Sequence, residues 1–334
     1  MSVDTTSALR DELVTVDLAR SEAMRRLFAQ VFGHEMTSEH WRWKYLQEQG
    51  SAVGLLRGAD MIAHYGGVTR RVLHRSQPVL ACQVCDVMVT RSANAALVRK
   101  GPLYKVAARF LDAEVGFGRR HLLAFGFPSA RHHAVAKRLG LYGDVDKIVS
   151  LAWPAAADAA TPGLSMQSIG AIGAGFDVGE ARIVDRLWRR MASSMPEAIV
   201  GVRDAAWLRY RYLMHPGSRY DVCLVRQGWL RRPLGLMVLR TRDAHLDLLD
   251  LVAEPAGFPV LVAAARMRAR ELGKLRVEAW VTESQQGRLM AAGDRSTSFT
   301  DLQIPLPHIT HTNGPSADEQ RGRWWLMGGD ADFT

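Results

Sequence analysis

The clearest pattern of apolar and polar positions lies over 83–115, and it predicts a strand, a loop and a helix. The strand, over 84–89, is apolar on both faces apart from Asp86, as a central strand covered on both sides requires. After a polar loop, the helix is predicted to begin at Pro102, because proline is favoured at the first helical position. Its apolar residues recur at helical spacing: Leu103, Val106, Ala107, Phe110 and Leu111.

The remaining hydrophobic patterns form two rounds of similar elements. The first round predicts helices over 22–32 and from Ser38, strands over 52–57, 61–73 and 77–89, the central helix, a strand over 122–127, a helix over 130–139 and a closing stretch over 145–153. The second predicts a helix over 185–191, strands over 220–226, 233–240 and 246–252, a helix over 259–272 and a strand over 275–281.

A short motif occurs once in each round. Arg42-Trp43-Lys44-Tyr45-Leu46 matches Arg209-Tyr210-Arg211-Tyr212-Leu213 in the chemistry of every position. Because the order of elements also repeats after about half the chain, the sequence predicts duplication of one supersecondary plan. We therefore expect two domains, over 1–155 and 181–334. The stretch over 156–180 is predicted to hold a linker and the start of the second repeat.

The composition is that of a globular protein with ordinary cores: 334 residues, 48% of them hydrophobic, with a net charge of +9. The charge favours anionic ligands but does not choose between nucleotide, phosphate and nucleic acid. The three cysteines, Cys82, Cys85 and Cys223, give no disulfide framework, and the N-terminal residues show no signal-peptide pattern. We expect a cytoplasmic protein with no membrane span and no metal, since Cys82 and Cys85 point to opposite faces of their strand.

The loop before the central helix has the chemistry of an anion site. Arg99 and Lys100 precede Gly101, and the helix that follows presents free N–H groups and the positive end of its dipole. A phosphate or pyrophosphate is well suited to this position. The alternative is a surface helix with a basic start.

This strand, loop and helix resemble the coenzyme A-binding core of the GNAT superfamily of N-acetyltransferases. The resemblance implies an α/β (α+β) fold of two tandem GNAT-like domains, each with a mixed, mostly antiparallel sheet flanked by helices. The family's pyrophosphate loop is Arg/Gln-x-x-Gly-x-Gly/Ala, of which this chain keeps one glycine, Gly101, in either register. The segment 125–145 resembles the second half of that core. The residues implied to hold the coenzyme are Val87, Met88, Val89, Arg99, Lys100, Gly101, Pro102, Leu103, Tyr104 and His132.

The second copy differs at the corresponding loop. It carries Glu254 where the first copy offers Arg99 and Lys100, so like charge would oppose a pyrophosphate there. We therefore expect the coenzyme in the first domain and a degenerate cofactor site in the second. The second domain then has a structural role or closes over the acceptor.

Acyl transfer to an amine needs a proton acceptor for the amine and a donor for the thiolate. The family's usual acid is a tyrosine four residues before the turn glycine, but Ala136 stands there. Tyr142, and otherwise Tyr104, is the candidate acid. Asp86 is the candidate base, because an acid in an apolar strand is costly unless it is used or paired; the alternative is a structural hydrogen bond. His64 is expected beside Asp86, and its alternative is a satisfied core histidine.

The sequence thus predicts transfer of an acetyl group from acetyl-CoA to a small-molecule amine, without a covalent intermediate. One alternative is a longer acyl chain, supplied by acyl-CoA or an acyl carrier protein that binds the basic surface. Transfer to a sugar hydroxyl is another. A basic nucleic-acid-binding protein is the non-enzymatic alternative, supported by the charge and by the arginines among aromatic residues at 41–45 and 207–212.

Overall fold

The computed structural model describes residues 10–47, 49–91, 101–156, 163–290, 296–309 and 313–331. They form two mixed sheets flanked by helices, which confirms the predicted fold class. Most helix and strand bounds lie within two residues of the predicted ones, but the helix predicted over 185–191 begins at Val178. The predicted start of the central helix is confirmed at Pro102.

The first sheet has the strand order β1-β2-β3-β4-β5. Within this order neighbouring strands pair antiparallel except β4 and β5, which pair in parallel. Its strands are β1 Asp11–Thr15, β2 Ser51–Arg57, β3 Asp60–His74, β4 Gln77–Val89 and β5 Leu123–Gly126. Its helices are α1 Ser21–Phe32, α2 Ser38–Arg42, α3 Pro102–Glu114 and α4 Ala130–Arg138.

The second sheet has the order β13-β6-β12-β11-β10-β9-β7. The strands of this half of the chain are β6 Tyr142–Pro154, β7 Ser165–Ser168, β8 Ile199–Gly201, β9 Asp221–Gln227, β10 Arg232–Thr241, β11 His245–Val252, β12 Arg276–Thr282, β13 Ser298–Ile309 and β14 Trp324–Trp325. The helices are α5 Val178–Ser193, α6 Ala205–Leu208, α7 Phe258–Glu271 and α8 Ala317–Gln320.

The predicted repeat is confirmed in three dimensions. Strands β1 to β5 correspond to β7, β9, β10, β11 and β12, and in both sets only the last two strands pair in parallel. The repeated motif folds into the same unusual element twice, a π-helical turn over Trp43–Gln47 and another over Arg209–Leu213. Turns of this kind are rare and occur often at functional sites.

One predicted stretch lies in a different sheet from the one expected. The stretch over 145–153 was expected to close the first half, but it forms β6, which pairs with β12 and β13 of the second sheet. Strand β14 contacts both halves: it pairs with β8, which pairs with the end of β3 in the first sheet, while its Trp325 packs in the core of the second half. The domain limits at residues 155 and 181 stay predictions.

The last residues of the described chain join the two halves through one buried carboxylate. Asp330 Oδ1 accepts a hydrogen bond from Arg70 of β3 at 2.9 Å, and Oδ2 accepts one from Arg203 at 2.5 Å. Gln83 of β4 donates to the carbonyl of Asp330 at 2.6 Å. All of these side chains are buried. Removing one partner from such a cluster leaves an uncompensated buried charge.

Candidate functional site

The parallel strands β4 and β5 part from each other and open a cavity. Their pairing ends at Val84 and Gly126. Beyond this point β4 continues to Val89 paired with β3 but not with β5. The cavity between them has a volume of about 710 Å³. One side is lined by the end of β4, by Leu103 and Ala107 of α3 and by residues around α4. The other side is lined by residues of α1 and α2 and of the second half: Phe28, Phe32, His34, Met36, His40, Lys44, His215, Ser218, Arg240 and Arg242.

A β-bulge lies where β4 leaves β5. In the ladder with β3, His64 faces Met88 and Gly66 faces Cys85, so Tyr65 alone faces both Asp86 and Val87. Asp86 has φ of 49°, in the left-handed region that a non-glycine residue seldom adopts. A bulge interrupts the ladder and re-aims the chain. It therefore turns the backbone of β4 at the point where Val87, Met88 and Val89 line the cavity.

Asp86 is buried at the bulge and both of its carboxylate oxygens are occupied. Lys44 Nζ lies 2.9 Å from Oδ1, and the Tyr45 hydroxyl donates to Oδ2 at 2.6 Å. Burial by itself raises the pKa of Asp86, but the Lys44 charge and the Tyr45 hydrogen bond outweigh it and hold the pKa below its usual value. Asp86 is thus a paired carboxylate at the wall of the cavity.

His64 lies behind the bulge rather than at the cavity surface. Its ring is fully buried, and Nδ1 is 2.7 Å from the carbonyl oxygen of Asp86. Since a carbonyl only accepts, Nδ1 carries the proton. Burial lowers the pKa of His64, which keeps the ring neutral. Within the described residues Nε2 is buried without a partner, and His64 does not line the cavity beside Asp86 as the sequence predicted.

Two tyrosine hydroxyls meet at the cavity. The hydroxyls of Tyr65 and Tyr142 are 3.1 Å apart, and both residues line the cavity. Burial raises the pKa of Tyr142 to about 12 and that of Tyr65 well above its usual value. Both phenols are therefore protonated at neutral pH. Tyr142 begins β6, so the strand that belongs to the second sheet delivers this hydroxyl to the first half.

The predicted anion site is described only in part. Gly101 caps α3, and Pro102 is its first residue, so this helix begins where the sequence predicted. Arg99 and Lys100 lie outside the described residues. Leu103 and His132 line the cavity, whereas Pro102 and Tyr104 do not.

The second half repeats the tyrosine–aspartate pair but fills the corresponding gap. Tyr212 donates to Asp250 Oδ2 at 2.9 Å, as Tyr45 does to Asp86, and Asp250 sits at a register shift in β11. Here the space beside β11 is taken by the chain after β14. A Cβ on Gly329 would lie 3.0 Å from the carbonyl oxygen of Leu249, so the two backbones touch. Phe258 of α7 stacks on Trp325 at 4.8 Å.

Residues 15–140 match the family model of the acetyltransferase (GNAT) domain. The matched residues include the bulge, the diverging strands and α3. These residues form a GNAT acetyltransferase domain. A domain of this family indicates an acyltransferase. The comparison with curated proteins gives no match.

Several solved structures resemble nearly the whole chain. A probable N-acyltransferase from Enterococcus faecalis V583 aligns with a TM-score of 0.65 at 11% identity, over 90% of this chain and 72% of its own. A GCN5-related N-acetyltransferase from Kribbella flavida gives 0.61 at 17%, over 91% and 72%. The Saccharomyces cerevisiae N-myristoyltransferase with bound myristoyl-CoA gives 0.54 at 10%, over 94% and 82%. At such identities these likenesses establish the fold.

Sequence reasoning missed the residues that second-half packing and the π-helical turn bring to the cavity: Lys44, His215, Arg240 and Arg242. Lys44 had one signal, since it occupies the same motif position as Arg211. Among the residues described, no group of three His, Cys, Asp or Glu side chains is placed to hold a metal ion. None of the described helices is long and apolar enough to cross a bilayer.

Proposed function

We propose that this GNAT protein transfers an acyl group from acyl-CoA to an amine at the cavity of the first half. The observation that carries the proposal is the opening of β4 from β5 at the bulge, with Leu103 of the first turn of α3 lining the same cavity. A bulged strand offers backbone groups to an amide-containing arm. A helix N-terminus offers N–H groups to a pyrophosphate.

In the proposed reaction the amine nitrogen attacks the thioester carbon, a C–N bond forms and the C–S bond breaks. The amine loses one proton and the departing sulfur gains one. No covalent enzyme intermediate is involved. Acetyl-CoA is our first choice of donor and a small-molecule amine our first choice of acceptor.

Tyr142 is proposed to stabilise the departing thiolate. Its pKa of about 12 lies above the value of about 8.5 typical of a thiol, so a complete proton transfer to sulfur is uphill. The tyrosine therefore acts chiefly as a hydrogen-bond donor, and the proton that ends on sulfur comes from the amine. A charge-assisted hydrogen bond of this kind is stronger than one between neutral groups.

Asp86 is better suited to positioning than to proton transfer, although it was the candidate base. Both its oxygens already accept hydrogen bonds, and its lowered pKa makes it a weak base. The Tyr212–Asp250 pair recurs in the half whose gap is filled, which supports a shared structural role. We propose that Asp86 and His64 fix the bulge that presents Val87 and Met88 to the coenzyme.

A longer acyl donor is the second candidate. Phe28, Phe32 and Met36 line the side of the cavity away from α3 and offer an apolar surface to an acyl chain. The N-myristoyltransferase with a related fold has myristoyl-CoA bound. An acyl carrier protein remains an alternative donor, and the cytoplasmic location stays a prediction.

We propose that the second half binds no coenzyme. The chain after β14 occupies the space beside β11. In the loop between β11 and α7, Glu254 forms an ion pair with Arg190. A pyrophosphate there would meet a carboxylate. The second half then serves to support β6 and to complete the lining of the cavity with His215, Ser218, Arg240 and Arg242.

Titration calorimetry with acetyl-, octanoyl- and myristoyl-CoA tests the proposal. The double variant Arg99→Glu/Lys100→Glu is expected to weaken binding at least tenfold, because it reverses the charge at the pyrophosphate. The variant Arg182→Glu/Arg186→Glu makes the same change in net charge on the exposed face of α5 and is expected to bind as the wild type does. Ligand at about a hundred times its dissociation constant should also stabilise the fold by about 2.7 kcal/mol.

The chain length of the tightest donor decides between the acetyl and longer-acyl candidates. If none of the three thioesters binds the wild type, the coenzyme proposal is wrong. If both double variants lose binding equally, net charge rather than the α3 loop is responsible, and the location of the site is wrong.

A further inference from the structure

The side of the cavity opposite the α3 end carries an arginine pair from the second half. Arg240 is the second-last residue of β10, which ends at Thr241, and Arg242 follows the strand directly, so strand alternation brings both arginines to one face. Both line the cavity, together with His215 and Ser218. Nothing in the proposed donor site uses these residues.

One carboxylate oxygen holds both guanidinium groups. Asp247 Oδ2 accepts from Arg240 Nε at 3.0 Å and Nη2 at 2.8 Å, and from Arg242 Nε at 2.9 Å. No described residue accepts a hydrogen bond from Arg240 Nη1 or from either Nη of Arg242. Two positive charges thus share one negative partner. Part of their hydrogen-bonding capacity is open.

His215 adds a neutral donor to the same wall. Its Nδ1 accepts from the backbone N–H of Gly217 at 3.1 Å and of Ser218 at 2.9 Å, so the proton is on Nε2. Burial and then the charge of Arg211 lower the pKa of His215 to about 3, which keeps this tautomer neutral. The ring lies 4.5 Å from Trp43, the residue before the Lys44 that pairs with Asp86.

We propose that Arg240, Arg242 and His215 bind an anionic group of the acceptor, so that the acceptor is an amine that also carries a carboxylate or a phosphate. This inference rests on the proposed function, because it assigns the acceptor side of the same cavity. The planar guanidinium group of arginine can donate two parallel hydrogen bonds to a carboxylate or to a phosphate. Such an acceptor has its anion fixed by the second half while its amine reaches the bulge of the first.

The test is calorimetry on the protein saturated with coenzyme A, using succinate and inorganic phosphate as probes. Saturation keeps the probes away from the α3 end. We expect at least one probe to bind at a single site, and its identity distinguishes a carboxylate from a phosphate acceptor. Arg242→Gln is expected to weaken that binding at least tenfold, and Arg240→Gln/Arg242→Gln further.

Two controls make each outcome decisive. The first control is structural: Arg242 is partly exposed, so Arg242→Gln leaves the Arg240–Asp247 ion pair intact. The second is Arg276→Gln, which removes a positive charge from a similar strand ion pair, with Glu278, outside the cavity. Binding of neither probe by the wild type, or equal binding by Arg242→Gln and Arg276→Gln, overturns the assignment. A loss of coenzyme A affinity in Arg242→Gln would assign the pair to the coenzyme and overturn the assignment too. Failure of coenzyme A to bind the wild type counts against the proposed function instead.

Discussion

Trp43 and Tyr210 hold equivalent positions in the two halves, and they stack on each other with ring centroids 4.8 Å apart and planes 12° from parallel. Each also donates a side-chain hydrogen bond to the other's backbone carbonyl at 3.2 Å. The repeated motif therefore makes a self-complementary contact between its own two copies. This contact brings the π-helical turn that carries Lys44 against the second half.

Trp43→Ala is expected to destabilise the protein by about 3–5 kcal/mol, because it removes a large, 7%-exposed ring and one of two reciprocal hydrogen bonds. Urea unfolding followed by circular dichroism measures this. Trp229 is 90% exposed, so Trp229→Ala is the matched control and should change the free energy of unfolding by no more than about 0.5 kcal/mol. Equal losses in the two variants would contradict the role given to Trp43.

Asp86→Asn is expected to cost about 3–5 kcal/mol at pH 7, since it removes the carboxylate from a buried ion pair with Lys44. Because the pKa of Asp86 is lower in the folded than in the unfolded protein, its stabilisation is present above a pH of about 4 and is lost as the pH falls through the folded value. The difference between wild type and variant should therefore shrink in acid. Urea unfolding from pH 7 to pH 3 checks this, with the turn variant Asp60→Asn as control.

Tyr142→Phe is expected to lower kcat about 10- to 100-fold, because a hydrogen bond to a charged group is removed from the departing thiolate. Coenzyme A affinity should stay within about twofold. Release of free thiol from the acyl-CoA measures the first quantity and calorimetry the second. Tyr104→Phe, on the first turn of α3 but not lining the cavity, should keep kcat near that of the wild type. A Tyr142→Phe enzyme of undiminished kcat would remove Tyr142 from the mechanism.

Gly329→Ala is expected to destabilise the protein by about 1–3 kcal/mol, because its Cβ would lie 2.0 Å from the Tyr212 hydroxyl and 3.0 Å from the Leu249 carbonyl oxygen. Displacement of the segment should also speed proteolysis after β14. Gly287→Ala places its methyl group in open space and is the control. If the two variants unfold at the same urea concentration, the segment does not fill the second-half gap as tightly as the contacts indicate.

The sequence predicted most elements and the repeat, because hydrophobic period and turn residues are local signals. It placed β6 in the wrong sheet. The apolar residues of this strand, such as Ile148 and Leu151, show that the strand is buried but not which strands pair with it. The sequence left two roles open for Asp86, a catalytic base or a structurally paired acid. It could not identify Lys44 as the partner, because only the π-helical turn brings Lys44 to Asp86. Arg240 and Arg242 reach the cavity only through the docking of two halves, which no local pattern encodes.

The salt bridge between Arg70 and Asp330 joins residues 260 positions apart. It therefore cannot form in a newly made chain until long after Arg70 has been synthesised. Ribosomes add about 5–20 residues each second, so roughly 13 to 52 seconds pass between the synthesis of these two residues. Until Asp330 is made, burial of the Arg70 guanidinium leaves it without this carboxylate, which is unfavourable. The first half therefore reaches its final packing only after Asp330 has been synthesised. A chain cut short before Asp330 exposes an unfinished core to cellular proteases.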